Sequence, residues 1–479
     1  MQASIVRTTF LTALADLFML LLIMVFCLVL RRLFGGAISP EMYVGIFSSL
    51  LLVIPIYTLF GLYPPILISS PDAVRRLTLG TSCLFLIIFA LTFFFRSGEN
   101  YSRFALLLAW MLSLLVMPVW RGMVKRHFSR YAWWGNELIL CGSREWVEKA
   151  VRALLADTAI GLKPCGVVLF DDADNPLEES EQTLPIRLND SETLNLPILA
   201  LQNLPDYARA FNSPYAIMNI HALSPGASAH MAKLSCHFKK TFFVFPFLEH
   251  LNCWTDLTDM GGHFVLETRQ KLLDIRRQHI KRGIDLLLTF AGAVVFIPAT
   301  LVIAVLIKRE DGGPVFFAHT RLGKGGKHIK VLKFRTMVPD ADAVLKEKLA
   351  ADPQLAEEWE ANHKLKNDPR ITRVGRFLRK TSLDELPQVW NVFKGELSFV
   401  GPRPIVDAEI EKYGSDGYEI YKRVLPGLTG YWQISGRSTT TYEERVRLDT
   451  YYIRNWSVWL DIYVIACTPR ALLRTGEAY

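Results

Sequence analysis

No two of the seven cysteines, at 27, 83, 141, 165, 236, 253 and 467, are spaced like a zinc or redox motif. Their odd number argues against a disulfide framework, so they are read as reduced structural residues. There is no internal repeat and no low-complexity tract, which excludes a repeat array. A dinucleotide-binding turn is missing too. Cys141-Gly142-Ser143-Arg144-Glu145-Trp146 offers one glycine where G-x-G-x-x-G would let the backbone approach a pyrophosphate. A P-loop around Gly323-Lys324-Gly325-Gly326 is excluded, because it would need Gly at 321 and Ser or Thr at 328, where Arg321 and His328 stand. No small-residue cleavage site follows the first apolar run. Its length and the trailing Arg31-Arg32 make it a membrane helix rather than a signal peptide.

What is present is apolar and basic. The 479 residues allow two to four domains, and 51% of them are hydrophobic. A mean hydropathy of +0.22 is too high for an ordinary soluble enzyme. The net charge of +8 suits anionic partners: nucleic acid, lipid headgroups or phosphorylated substrates. With this much apolar sequence, headgroups and phosphates are the expected partners, and nucleic acid is not. Four apolar runs, Leu11–Leu30, Met42–Leu62, Leu77–Phe95 and Phe104–Trp120, are each near the ~20 residues that cross a bilayer core. Placing the N-terminus in the cytoplasm puts seven basic residues on the inner flanks (Arg7, Arg75, Arg76, Arg121, Lys125, Arg126, Arg130). Four lie on the outer flanks (Arg31, Arg32, Arg96, Arg103), so both ends are expected inside. Asp16 in the first run is either a functional carboxylate or one that reaches the interface.

From Glu137 to Glu267 strands alternate with helical stretches. Strand candidates are Glu137–Cys141, Gly166–Phe170, Ile198–Leu201, Ala216–Ile220 and Thr241–Phe245, with helical spacing over Trp146–Ala156. The pattern predicts a doubly wound parallel sheet, Rossmann-like but without its nucleotide. A fifth apolar run, Ile284–Ile307, has Lys281-Arg282 before it, Lys308-Arg309 after it and Pro298 inside. Basic residues at both ends and a helix-breaking proline favour a re-entrant helix whose two ends both face the cytoplasm; the alternative, a straight span, would put everything after residue 310 outside. Beyond it, His319–Leu322 and His328–Phe334 read as a hairpin, and Asp340–Lys366 as a charged helical insertion.

The densest chemical signal runs from Lys333 to Arg437. It contains Lys333-Phe334-Arg335-Thr336-Met337, Asn367-Asp368-Pro369-Arg370, then Arg373, Arg376 and Arg379. Thr381-Ser382-Leu383-Asp384-Glu385-Leu386-Pro387-Gln388, Gly401-Pro402-Arg403-Pro404 and Pro426-Gly427-Leu428-Thr429-Gly430 follow. Ser382-x-x-Glu385 fits a capping box, and Asp384 as N-cap is the alternative. Either way the dyad would sit in the positive field of a helix start, where carboxylates and phosphates are both favoured. Adjacent carboxylates on one turn point about 100° apart, so one can attack phosphorus while the other holds a divalent metal. Arginines suit phosphate oxygens through bidentate pairing. Spacing alone leaves open a bland reading, a helix cap with solvated arginines. Trp456–Leu460 is similarly open between an interfacial helix and core packing.

From Lys281 to Tyr479 the chain strongly resembles the monotopic phosphoglycosyl transferases, the bacterial sugar transferase family. K-F-R-T-M, T-S-L-D-E-L-P-Q, G-P-R-P and P-G-L-T-G are its motifs. The whole chain looks like the large polyprenyl-phosphate hexose-1-phosphate transferases. The resemblance implies a membrane α-helical bundle (1–130), an α/β Rossmann-like domain (131–270) and an α/β phosphoglycosyl transferase domain with a re-entrant helix at 284–307 (271–479). It implies transfer of hexose-1-phosphate from a UDP-hexose to undecaprenyl phosphate at the bacterial inner membrane, with release of UMP. Asp384 would be the nucleophile, forming a phosphosugar-aspartyl intermediate, and Glu385 would help hold Mg2+. Lys333, Arg335, Arg379, Arg403 and Pro404 would lie near the phosphates. Gln433 and Arg437 would belong to a mobile segment of the site, and Pro298 to the bend. A homodimer is expected through the middle domain. One departure from the family pattern is Ile297-Pro298, where Ser-Pro is frequent. The alternative class is a non-catalytic membrane scaffold, against which the intact Asp384-Glu385 argues.

Overall fold

The computed structural model describes most of the chain. Residues 1–2, 36–44, 46, 95–102, 172–181, 190–191, 201–202, 204–205, 208–209 and 211–214 lie outside the description. So do 221–235, 237, 239, 246–254, 260–263, 268–270, 353–354, 356–364, 366–367, 437–439 and 474–479. The chain forms two compact units, residues 1–250 and 251–479.

The first unit opens with helices α1 (Ile5–Leu33), α2 (Val53–Leu59), α3 (Ser70–Phe94) and α4 (Arg103–Phe128). Three of them, α1, α3 and α4, are long and apolar enough to cross a membrane. Polar groups join an apolar core that holds Leu20, Met24, Leu84 and Met117. Thr8, Thr12, Asp16, Ser113 and Arg121 are buried, while Phe10, Leu14, Phe18, Leu22, Met111 and Leu115 face outward. That is the pattern of a bundle solvated by lipid, where polar groups must find partners inside. The expected span at Met42–Leu62 is not one long helix in its described part. The chain turns at Leu51-Leu52 and restarts as the seven-residue α2. Pro55, which lacks an N–H, falls in the first turn of α2, where no intrahelical bond is lost.

The same unit continues with β1 (Asn136–Gly142), α5 (Arg144–Ala156), β2 (Leu162–Leu169), the antiparallel hairpin β3 (Thr183–Asn189) and β4 (Glu192–Pro197), then β5 (Tyr215–Asn219) and β6 (Thr241–Val244). The sheet runs β2-β1-β5-β6 with every pair parallel. β1 is buried along its whole length, as a central parallel strand must be. Four expected strands are present. At the fifth, Ile198 makes only an isolated bridge to Val167, because the chain there leaves the β3–β4 hairpin. Ser143 caps α5 by accepting from the Trp146 N–H. A Cβ on Gly142 would lie 2.9 Å from the Trp146 ring, so that ring covers the end of β1.

The second unit begins with a short hairpin, β7 (Asp256–Asp259) and β8 (Phe264–Glu267). Then comes α6 (Ile275–Asp311), 37 residues with Pro298 inside. Its middle presents Leu287, Phe290, Val294, Ile297, Leu301 and Val302 outward. Both of its ends are fastened to the same unit. At the start, Lys281 pairs with Asp461 at 2.7 Å, Arg282 donates to the carbonyls of Val392 and Phe393, and Asp285 accepts from the Ser398 hydroxyl and the Phe399 N–H. At its end, Ile303 and Ile307 pack with Phe334 and Leu378, and Arg335 pairs with Asp311.

β9 (Phe316–Leu322) and β10 (His328–Phe334) form the expected antiparallel hairpin. α7 (Ala341–Ala351) is the described part of the charged insertion. After α8 (Arg373–Thr381) and α9 (Gln388–Lys394) come β11 (Ser398–Val400), α10 (Ile410–Tyr421), β12 (Gly427–Thr429), α11 (Tyr431–Ser435), α12 (Tyr442–Arg454) and α13 (Val458–Leu473). Trp456 is buried and donates to Asp461, which decides for core packing at that residue.

Candidate active site

Four chain segments meet at the Asp384-Glu385 turn, and each is fixed by a local device. The K-F-R-T-M segment is the end of β10 and the residues after it. Asn391 of α9 ties that strand in place, accepting from the Leu332 N–H at 3.0 Å and donating to the Lys330 carbonyl at 2.8 Å. Helix α8 lies against Thr336, because Gly375 has no Cβ: one would sit 2.1 Å from the Thr336 carbonyl oxygen. Thr372 caps α8 and Glu310 accepts from its first free N–H groups, at Arg373 and Val374. The G-P-R-P and P-G-L-T-G loops are laced together in parallel, with Gly427 N–H donating to the Pro402 carbonyl and Gly401 N–H to that of Thr429. A Cβ on Gly427 would lie 2.1 Å from the Gly401 nitrogen, so both motif glycines permit backbone contact.

The dyad does not stand at a helix start. Ser382 ends α8 in the left-handed conformation, φ 55°, with no side-chain cap. An N-cap needs extended backbone, so the capping box and the Asp384 cap both give way to another arrangement. Leu383–Glu385 is one 3-10 turn between α8 and α9, and α9 begins only at Gln388, after Pro387. Gly395, φ 82°, ends α9 as its sequence predicts.

The turn points both carboxylates at one ammonium group. Lys333 Nζ lies 2.8 Å from Glu385 Oε1 and 3.4 Å from Asp384 Oδ2. All three are largely shielded, with side-chain exposures of 29% for Lys333, 14% for Asp384 and 19% for Glu385. Burial lifts the Asp384 carboxyl above its ordinary range and Glu385 adds to the lift, while Lys333 and Arg379 oppose it. Arg379 donates from Nε to the Thr336 hydroxyl at 2.9 Å and is near enough to Asp384 to act on its charge. A pocket opens beside the dyad. Lys333, Glu385, Gln388, Arg403, Pro404 and Gln433 line it, with Arg321, Val331, Gly427 and Leu428.

Of the residues expected at the phosphates, Lys333, Arg403, Pro404 and Gln433 therefore share one pocket, and Arg379 is close to Asp384. Arg335 is not among the residues lining the pocket: its guanidinium is engaged by Asp311 and by the Pro314 carbonyl, and it is 9% exposed. Arg370 is likewise held by Asp368. Arg437 lies outside the described residues, and Pro298 lies within α6, away from the dyad. Sequence reasoning missed Arg321 and Gln388. The hairpin register held the signal for Arg321. It opposes Ile329 one residue before the strand's end, and the neighbouring Leu322 N–H donates to the Ile405 carbonyl beside Pro404.

Comparison with known proteins agrees with this constellation. Residues 276–475, which hold the dyad, the laced loops and all the pocket residues, match the family described as bacterial sugar transferase. The chain is 34% identical to the UDP-galactose-lipid carrier transferase of Erwinia amylovora, over 80% of this chain and 78% of that protein. It is 34% identical to the undecaprenyl-phosphate galactose phosphotransferase of Salmonella typhimurium, over 79% and 77%. The UDP-glucose:undecaprenyl-phosphate glucose-1-phosphate transferase of Escherichia coli is 40% identical, over 44% of each chain. An acid pair held by one lysine beside an arginine-lined pocket, in a chain that matches such enzymes along four-fifths of its length, makes this protein a member of the bacterial sugar transferase family.

Proposed function

We propose that the protein transfers hexose-1-phosphate from a UDP-hexose to undecaprenyl phosphate, the first membrane step of a surface polysaccharide. The observation that carries the reading is the Asp384-Glu385-Lys333 cluster at the edge of a pocket walled by arginine. Asp384 attacks the sugar-bearing phosphorus and expels UMP. Lys333 holds the carboxylate against the lift that burial gives it, so that an ionised oxygen is available. Undecaprenyl phosphate then attacks the phosphosugar-aspartyl group and frees the enzyme. Galactose is the sugar we favour, because two of the relatives similar over about four-fifths of the chain carry galactose in their names, and the glucose enzyme matches over 44%.

Mg2+ fits this donor set as a shared ion, not as one caged by protein. Asp384 and Glu385 are two adjacent hard-oxygen donors, and the described residues contain no group of three His, Cys, Asp or Glu side chains that could hold a metal. Magnesium in phosphate enzymes is commonly held by one or two carboxylates plus substrate oxygens. Glu385 and Asp384 would hold it, and it would supply charge neutralisation at the diphosphate.

The membrane arrangement we propose is a multi-pass inner-membrane protein with a re-entrant α6 and a cytoplasmic catalytic unit. Support comes from the basic residues at both ends of α6 and from the anchoring of both ends to one unit. The middle domain is read as Rossmann-like without a nucleotide. The Trp146 ring over Gly142 supports that reading, since it takes the space a pyrophosphate would need. The deciding experiment incubates the enzyme with UDP-galactose or UDP-glucose labelled in the sugar-side phosphate, without lipid acceptor. Label is expected on the wild type and not on Asp384→Asn, with UMP released. Unlabelled protein and no UMP from either donor would sink the proposal.

A further inference from the structure

We propose that Arg321 and Arg403 form the seat of the nucleotide-side phosphate, the group that leaves as UMP. The proposal rests on the transferase reading and assigns a role to Arg321, which lies outside the K-F-R-T-M, T-S-L-D-E-L-P-Q, G-P-R-P and P-G-L-T-G motifs. The two side chains arrive from different loops. Arg321 is the penultimate residue of β9, and the backbone bond from Leu322 N–H to the Ile405 carbonyl, 2.8 Å, draws that strand end against the G-P-R-P loop. Both guanidinium groups then line the pocket that holds Glu385 and Lys333.

Their charge is not matched by the protein. The ion-pair partner of Arg321 is Glu409, at a loose 3.9 Å. Glu409 is already occupied, by Arg445 at 3.2 Å through one oxygen and by the Val406 N–H at 3.0 Å through the other. The second carboxylate behind the pocket, Asp449, accepts from the Tyr413 hydroxyl at 2.6 Å and lies 3.9 Å from Arg445. Arg321, Arg403 and Arg445 thus share Glu409 and Asp449, while the carboxylate on the pocket wall, Glu385, is engaged by Lys333 at 2.8 Å. Among the described residues the guanidinium groups of Arg321 and Arg403 make no hydrogen bond, and Arg321 has only its 3.9 Å contact with Glu409. Burial lowers the Arg321 pKa and repulsion from Arg403 lowers it further, while Glu409 opposes the shift without cancelling it. A phosphate supplies the oxygens that two such forks can share.

The direction along the substrate follows. If Asp384 bonds to the sugar-side phosphorus, the next phosphate lies along the pocket from the dyad. The Asp384 oxygen forms the new P–O bond, the bridging P–O bond breaks, and its electron pair leaves on the bridging oxygen of UMP. That oxygen gains charge as the bond breaks, so fixed cations there stabilise the departing group.

The test measures UMP and uridine binding by calorimetry to the full-length enzyme in detergent. Arg321→Gln should weaken UMP binding at least tenfold and leave uridine binding within twofold. It should raise the KM for UDP-hexose and not that for undecaprenyl phosphate. Arg321→Lys keeps the charge and loses the fork, so it should fall at least threefold in UMP affinity, and it serves if Arg321→Gln does not fold. Unchanged UMP affinity in the folded variants, beside a parent enzyme that binds UMP, overturns this assignment alone. A parent enzyme that neither binds UMP nor releases it from a UDP-hexose overturns the transferase reading with it.

Discussion

Two buried acid–base clusters, one in each unit, look alike by composition and differ in what surrounds them. In the membrane bundle Asp16 accepts from the Tyr63 hydroxyl at 2.7 Å and pairs with Arg121 at 3.4 Å. Arg121 donates to the Leu62 carbonyl and lies over the rings of Tyr57 and Tyr63. Asp16 is wholly buried and Arg121 is 4% exposed. In the catalytic unit Asp384 and Glu385 share Lys333, but their cluster opens on a pocket with two arginines, of which Arg321 has only a loose contact with Glu409 at 3.9 Å. Buried charge alone therefore does not mark a site. Unmatched charge of the opposite sign at the opening does, because it is costly to hold in place unless a ligand answers it.

The sharpest way to break this comparison is to neutralise one acid in each cluster. Asp384→Asn keeps the shape and removes the carboxylate proposed as the nucleophile. Turnover should fall by roughly three to six orders of magnitude, as is usual for a lost covalent nucleophile. Asp16→Asn should leave turnover per folded molecule within about twofold. Its effect is on folding, since breaking a buried pair leaves Arg121 uncompensated, typically at about 3–5 kcal/mol. Activity assays beside thermal unfolding in the same detergent separate the two. An Asp16→Asn enzyme that is fully folded and inactive would end the distinction drawn here.

A smaller effect tests Lys333. Burial lifts the Asp384 carboxyl, and Lys333 is the largest influence holding it down. A raised acid pKa means that the ionised nucleophile is lost as pH falls, beginning above the usual carboxylate range. Lys333→Met removes the restraint, so the acid limb of kcat/KM should move to higher pH. At neutral pH the loss should be on the order of 10- to 100-fold, in the range of one charge-assisted contact. An unmoved acid limb would mean that Lys333 does not act on Asp384.

Much of this was legible in the sequence because it rests on period and composition. The apolar runs at α1, α3, α4 and α6, the hairpin at 323–326 and the alternating strands of the middle domain follow from local pattern. The residues of the site were legible as motifs, but their partners were not. Arg335 and Arg403 are the same residue type in neighbouring motifs. Only the fold shows that Asp311 closes on one and leaves the other facing the pocket. The dyad's local structure was misread for a similar reason. Ser382-x-x-Glu385 is a capping signature, but the left-handed Ser382 is set by the end of α8, which the motif does not encode. At Met42–Leu62 hydropathy masked Pro55, because a window average is blind to a missing N–H.

A third buried carboxylate tests whether closed clusters in the catalytic unit behave like the one in the bundle. Asp449 is 1% exposed, and burial pushes its pKa up to about 6, against the pull of Tyr413 and Arg445. The sign of the linkage is that of an acid with a raised folded pKa. Below about pH 4 the group is protonated in both states, and its favourable contribution is fully present. As pH rises toward 6 the unfolded carboxyl ionises first, so stability is lost across that window, on the order of 2–3 kcal/mol in all. Asp449→Asn keeps an acceptor for the Tyr413 hydroxyl and cannot ionise. The difference in unfolding free energy between variant and parent should therefore shift toward the variant between pH 4 and pH 6 and stay constant above. Taking the difference cancels the titration of every other group. Denaturant titrations of both proteins at several pH values would show it, and a flat difference would mean that Asp449 is ionised in the fold throughout, with Arg445 and Arg403 outweighing its burial.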